Sequence, residues 1–167
     1  EEMDVDDEVS DHSEPYLPSA YYSAKRAFSQ IQTTFENSSF VDYGCGLGRM
    51  LFFASQFPFR KIIGVEASEN MVQQATDGLS GYYRRKGKTA PEWDIEQVDA
   101  RRFEVPEDAS VFYFYDPFGP AVMKPVLDRI AESLAHSARR IFLIYLAPAQ
   151  RHLFDERSFH VVGQNDG

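Results

Sequence analysis

Three glycines at alternate positions follow an acid at the end of a β-prone run, in Phe40-Val41-Asp42-Tyr43-Gly44-Cys45-Gly46-Leu47-Gly48-Arg49. No other segment constrains the chain so tightly. An apolar, helix-like stretch begins directly afterwards, so the local order is strand, glycine turn, helix. Glycine adopts backbone conformations closed to other residues and lets main chain approach a ligand that a Cβ would exclude. The acid then narrows the ligand. A nucleotide pyrophosphate is held by N–H groups and a helix N-terminus, with no anion beside it. Asp42 would repel phosphate and attract an ammonium or sulfonium group. The spacing agrees, because the dinucleotide fingerprint runs G-x-G-x-x-G and this chain reads G-x-G-x-G.

The rest of the chain alternates strand-like and helix-like segments. A helix is predicted over residues 19–32, with Ala20, Ala24, Ala27, Phe28 and Ile31 on one stripe and Tyr16, Tyr21 and Tyr22 at or before its start. Strands are predicted at 40–43, 61–65, 94–98, 111–115 and 141–146, with a sixth at 159–162. Helices fall at 47–57, stopped by Pro58, from Ser68 as a cap toward Tyr83, and along Val122, Val126, Ile130 and Leu134. Pro125 fits that last helix if it lies in the first turn. Strands alternating with helices indicate parallel βαβ units. Continuously apolar strands indicate a sheet covered on both faces. The fold class is therefore α/β, a doubly wound, mostly parallel sheet.

In such sheets ligands bind at the carboxyl ends of the strands, and acids gather there. Asp42 ends the first strand, Glu66 the second and Asp116 the fourth, and Asp99 follows the third. Glu66 lies about 20 residues beyond the glycine loop, where an acid can accept from both hydroxyls of a ribose.

On these residues the chain resembles the class I S-adenosylmethionine-dependent methyltransferases, whose first motif is an acid followed by G-x-G-x-G. The likeness runs from about Tyr16 to Val162. It implies a Rossmann-like methyltransferase fold and S-adenosyl-L-methionine as cofactor. By resemblance, Asp42 serves the methionine end together with loop residues Gly44, Cys45, Gly46 and Gly48. Glu66, with Ala67 beside it, takes the ribose. Asp99 takes the adenine amine and Ala100 offers its N–H to the ring, with Tyr115 also at the cofactor site. The family's sheet closes with an antiparallel hairpin after strand five. Only one later strand is legible here, so the last strand is absent or the edge is reduced.

Tyr113-Phe114-Tyr115-Asp116-Pro117-Phe118-Gly119-Pro120 resembles the Asp/Asn-Pro-Pro-aromatic motif of methyltransferases that act on planar amino groups. There the acid or amide and a backbone carbonyl hold the target nitrogen while the ring stacks on it. Phe118 stands here in place of the second Pro. Asp116 is the candidate catalytic residue, and an amine nitrogen is favoured over other acceptors. The acceptor itself, whether small molecule, protein or nucleic acid, stays open. So do two other classes: a nucleotide-dependent oxidoreductase on a similar sheet, where Glu66 also fits a ribose, and a non-catalytic methyltransferase-like domain kept for protein association.

Composition sets the outer bounds. With 167 residues, 43% of them apolar, the chain can bury one core. The net charge of −9 is concentrated in residues 1–14, which hold eight acids and no Lys or Arg, and this stretch is predicted to be a disordered tail ahead of a domain over 15–167. The remainder is nearly neutral. Arg84, Arg85, Lys86 and Lys88, beside Tyr82 and Tyr83, either grip phosphates or form a solvated helix end. A single cysteine, Cys45, rules out a disulfide framework, and the four histidines are not spaced as metal ligands. No apolar run is long enough to span a bilayer and no leader pattern is present, so a cytoplasmic monomer or weak dimer is expected.

Overall fold

The structure, a computed structural model, describes residues 16–31, 34–86, 91–157 and 159–163. The acidic stretch 1–14 and the end of the basic segment, Gly87 and Lys88, lie outside them. In chain order the elements are α1 (Tyr16–Gln30), β1 (Ser39–Tyr43), α2 (Arg49–Ala54), β2 (Lys61–Glu66), α3 (Glu69–Lys86), β3 (Glu92–Gln97), β4 (Ala109–Tyr115), α4 (Pro120–His136), β5 (Phe142–Leu146) and α5 (His152–Asp155). A single 3-10 turn, Ala100–Arg102, follows β3.

The five strands form one sheet in the order β3-β2-β1-β4-β5, parallel throughout. The direction of winding reverses between β1 and β4, which makes their carboxyl ends the switch point where a crevice opens. All five residues of β1 are buried, as a central strand requires. Two apolar layers cover the sheet. On one face α1, α2 and α3 enclose Phe28, Phe35, Phe40, Phe53 and Phe59. These rings meet edge-on or tilted, with Phe28 and Phe53 centred 5.1 Å apart and Phe35 and Phe59 4.6 Å apart. On the other face α4 and α5 cover Val41, Tyr43, Phe103, Phe112 and Phe114. Burial of this many aromatic side chains, at about 1.5–3 kcal/mol each, is the main term holding the layers together.

Four details depart from the sequence reading. Helix α1 begins at Tyr16, which places Tyr21 and Tyr22 inside it. Helix α2 ends at Ala54, and the chain reaches Pro58 through tight turns that return Gln56 and Phe57 N–H to Phe53 and Ala54 carbonyls. Pro125 lies in the second turn of α4, because Pro120 already occupies the first helical position. Its missing N–H leaves the Ala121 carbonyl without its helical partner.

The fourth departure concerns residues 159–162. Among the described residues no sixth strand forms, and the chain turns into α5 after β5. Leu153 and Phe154 are buried against the sheet face, with the Phe154 ring tilted against that of Tyr145 at 5.0 Å. Arg157 fixes this segment to α4 through Asp128 Oδ1, 2.6 Å from its Nη2. Packing onto the face outcompetes pairing at the edge.

Candidate functional site

The three glycines of the loop have three different physical reasons. All have positive φ: +72° at Gly44, +52° at Gly46 and +75° at Gly48. A Cβ on Gly44 would stand 2.6 Å from Pro117 Cβ, and one on Gly48 would stand 3.3 Å from Ala75 Cβ. The first glycine thus admits the turn after β4, and the third admits α3. Only Gly46 has open space where its side chain would be. A fourth glycine, Gly64 on β2, makes room for the loop itself, since its Cβ would lie 2.7 Å from Cys45 Sγ. Cys45 is buried there and contributes packing, its thiol pushed up by burial and by the nearby carboxylates of Asp42 and Glu66.

Four of the loop's N–H groups are already engaged. Gly44 and Cys45 both donate to the Val65 carbonyl at 2.8 and 3.2 Å, and Gly48 donates to Cys45 O at 2.8 Å. Gly46 donates to Glu66 Oε2 at 3.0 Å. Few donors are left to cradle a phosphate. The carboxylate of Glu66 also accepts from Ser68 N at 2.9 Å through Oε1. It therefore pins the loop to the start of α3, and each oxygen keeps a lone pair for a further donor.

Asp42 is 3% exposed on the central strand. No donor among the described residues reaches its carboxylate. Its sheet-register neighbours are Gly64 on one side and Tyr113 on the other. Burial first, and the Glu66 charge second, push its carboxyl up to about 8. The Tyr113 phenol is likewise raised by burial and by Asp42. A buried acid without a donor is costly unless it stays protonated or a cation arrives.

A cavity of about 360 Å³ opens at the carboxyl ends of β1 to β4, a volume within the range of small-molecule sites. Of the residues singled out in the sequence, Gly44, Gly46, Glu66, Ala67, Ala100 and Tyr115 line it. Asp42 lies behind the loop, and Cys45 and Gly48 face the core and α3. Pro117 and Phe118, from the segment after β4 already singled out, line it too, and the structure adds Val65, Met71 and Val98 as apolar walls. Met71 and Tyr115 are exposed large apolar side chains, and their place beside the acids could not be read from local periodicity.

Asp99 and Asp116 stand outside that lining. Asp99 caps the 3-10 turn by accepting from Arg101 N at 2.9 Å and pairs with the Arg101 guanidinium. Those hydrogen bonds hold its carboxyl down at about 2. Asp116 is exposed, adopts a φ of +38° and accepts from Tyr145 Oη at 2.8 Å. Among the described residues no group of three or more His, Cys, Asp or Glu side chains is placed to hold a metal ion, and no helix is long and apolar enough to cross a membrane.

No family model matches the chain, and no curated protein sequence matches it. Solved structures do. An S-adenosylmethionine-dependent methyltransferase from Mesorhizobium loti matches with a TM-score of 0.51 at 17% identity, over 74% of this chain and 50% of that one. A candidate methyltransferase solved with the Haloferax volcanii Trm112 methyltransferase activator gives 0.58 at 18% identity, over 87% and 71%. Protein arginine methyltransferase 10 from Arabidopsis thaliana gives 0.50 at 20% identity, over 68% and 31%. The chain spans about half the length of several of the solved structures it matches. Sheet order, glycine loop and these likenesses agree on one architecture: the chain has the Rossmann-like fold of class I S-adenosylmethionine-dependent methyltransferases.

Proposed function

We propose that this domain binds S-adenosyl-L-methionine and transfers its methyl group to an acceptor, an amine nitrogen being favoured. The observation that carries the reading is the pairing of a buried, donor-free Asp42 with a glycine loop in which the N–H groups of Gly44, Cys45, Gly46 and Gly48 are bound within the fold. Such a site suits a cationic nucleoside and disfavours a pyrophosphate, which counts against a nicotinamide nucleotide. When bound, the sulfonium supplies both the methyl group and its thioether leaving group, so the protein's task is alignment and exclusion of water.

Each residue then has a role. Asp42 offers the missing counter-charge to the methionine ammonium, reached past Gly46. Glu66 accepts from the ribose hydroxyls with its spare lone pairs while its other contacts keep the loop in place. Ala67, Met71, Val98 and Ala100 form an apolar slot for the base, beside the backbone of Ala100. Asp99 serves this wall by capping the turn that carries Ala100, and its carboxylate reaches the base only by leaving Arg101. On the acceptor side, Tyr115 and Phe118 present rings, and the free oxygen of Asp116 can hold an amine N–H so that the nitrogen lone pair points toward the methyl carbon.

Titration calorimetry with S-adenosylhomocysteine and, separately, NAD tests the reading. Binding of S-adenosylhomocysteine at least about tenfold tighter than NAD is expected, the worth of one charge-assisted contact. Absence of binding at millimolar S-adenosylhomocysteine to the folded protein, or tighter binding of NAD, refutes it.

A further inference from the structure

Among the described residues, only two that are not glycine have positive φ: Asp116 at +38° and Ala147 at +49°. Each directly follows one of two adjacent parallel strands, whose last paired residues are Tyr115 and Leu146. Each also precedes a proline, Pro117 and Pro148. A residue before proline is already restricted in its backbone, so two such conformations side by side need something to hold them. The Tyr145 hydroxyl supplies it, donating to Asp116 Oδ1 at 2.8 Å and accepting from Gln150 N at 3.1 Å.

We propose that Tyr145 is a positioning residue of the acceptor side, whose hydroxyl locks the turns after β4 and β5 into one wall and fixes the Asp116 carboxylate within it. The inference rests on the methyltransferase reading for what the wall does, and on geometry alone for the coupling. The Tyr145 ring is held by Phe154 at 5.0 Å and Phe114 at 6.1 Å, so its hydroxyl has little freedom to wander. Burial, and the carboxylate it donates to, push this phenol up to about 12, which keeps it a donor across the physiological range. One oxygen of Asp116 is thereby engaged, which leaves the other to accept from a ligand. The wall also reaches the cofactor side, because Pro117 sits where a Cβ of Gly44 would be. A continuous path runs from the glycine loop through Pro117, Asp116 and Tyr145 to Gln150.

Hydrogen–deuterium exchange on the full chain tests this, comparing wild type, Tyr145→Phe, Asp116→Ala and the double variant. Tyr145→Phe keeps the ring packed between Phe154 and Phe114, so the domain should stay folded while exchange at both 116–119 and 147–151 accelerates by about tenfold or more, the loss of one hydrogen bond to a charged group. In the Asp116→Ala background the same change should add nothing at 116–119. S-adenosylhomocysteine should protect 147–151 in wild type and not in Tyr145→Phe, while its affinity changes by less than about threefold. Methyl label incorporated into fractionated lysate at saturating S-adenosylmethionine should fall by about tenfold or more in Tyr145→Phe. Acceleration confined to 147–151, ligand protection that survives in Tyr145→Phe, or undiminished label incorporation would overturn the inference. Failure to bind S-adenosylhomocysteine would instead overturn the methyltransferase reading, with ligand-free exchange still deciding the coupling.

Discussion

Replacing Asp42 with Asn should make the ligand-free domain more stable and, at the same time, weaken its binding of S-adenosylhomocysteine. The carboxyl is buried on the central strand, and its titration is moved from 3.8 to about 8 by burial and by Glu66. Between those values the native protein keeps a proton that the unfolded chain has released. Stability therefore falls as pH rises through this window, at up to about 1.4 kcal/mol per pH unit, and levels off above about pH 8. Integrated over the window, the ionised carboxylate costs the fold up to about 6 kcal/mol. Asn has the same shape and no charge, so this slope disappears. At pH 8 the variant should be more stable by about 2–5 kcal/mol, seen as a melting temperature about 5–15 °C higher, and at pH 4 the two should melt together. Binding should move the other way, with S-adenosylhomocysteine affinity falling at least tenfold for the loss of a charge-assisted contact of about 1.5–3 kcal/mol. In wild type the arriving ammonium replaces the carboxyl proton, so affinity should rise with pH from 6 to 8 and proton release should register in buffers of different ionisation enthalpy. Thermal melts from pH 4 to 9 with calorimetry on both proteins decide the matter. A variant that tracks wild type at every pH, or that binds ligand as well, would refute the assignment of Asp42 as the cation site.

Two further changes probe the loop. Gly64→Ala would set a Cβ 2.7 Å from Cys45 Sγ and 2.9 Å from Leu51 Cδ1, so it should cost about 1–3 kcal/mol in chemical denaturation; adding Cys45→Ala should restore part of that, and no rescue would show that Cys45 is not the obstruction. Glu66→Gln keeps one acceptor for Gly46 N–H but turns an NH2 group toward Ser68 N–H, so calorimetry with S-adenosylhomocysteine should show a weaker ligand than wild type and a stronger one than Glu66→Ala. Equal affinity in the Gln and Ala variants would mean that Glu66 does not accept from the ribose.

What the sequence made legible follows from how local each cause is. The strands were readable because a strand buried on both faces must be apolar throughout, and Phe40-Val41, Ile62-Ile63 and Phe112 to Phe114 leave no other environment for those side chains. The glycine loop and the acid before it were readable because they adjoin in the chain. The individual glycine roles were not, because Pro117 against Gly44, Ala75 against Gly48 and Cys45 against Gly64 are contacts between segments far apart in sequence. The same holds for residues 159–162. Their composition suits a strand, but Phe154 and Phe159 pack on the face of the sheet instead of extending its edge. Asp99 shows the limit from the other side, since its position after β3 is legible while its pairing with Arg101, two residues along, depends on the geometry of the turn.

The acceptor side is the least legible part for a related reason. A cofactor common to many enzymes is met by backbone geometry, which leaves its mark as glycines and strand-end acids at regular spacing. An acceptor is met by side chains on turns, whose arrangement depends on which turns lie side by side. Here the mark was present but doubled: Tyr115-Asp116-Pro117 and Leu146-Ala147-Pro148 place the same backbone constraint after two strands that become neighbours only in the sheet order. Tyr145 is one of many aromatic residues in the sequence, and its hydroxyl gains meaning only from the 2.8 Å contact that joins those turns. On the proposed reading, the discriminating chemistry lies in the pairing of β4 with β5. Changes to the β5 turn should therefore alter which acceptor is used before they alter whether the cofactor binds.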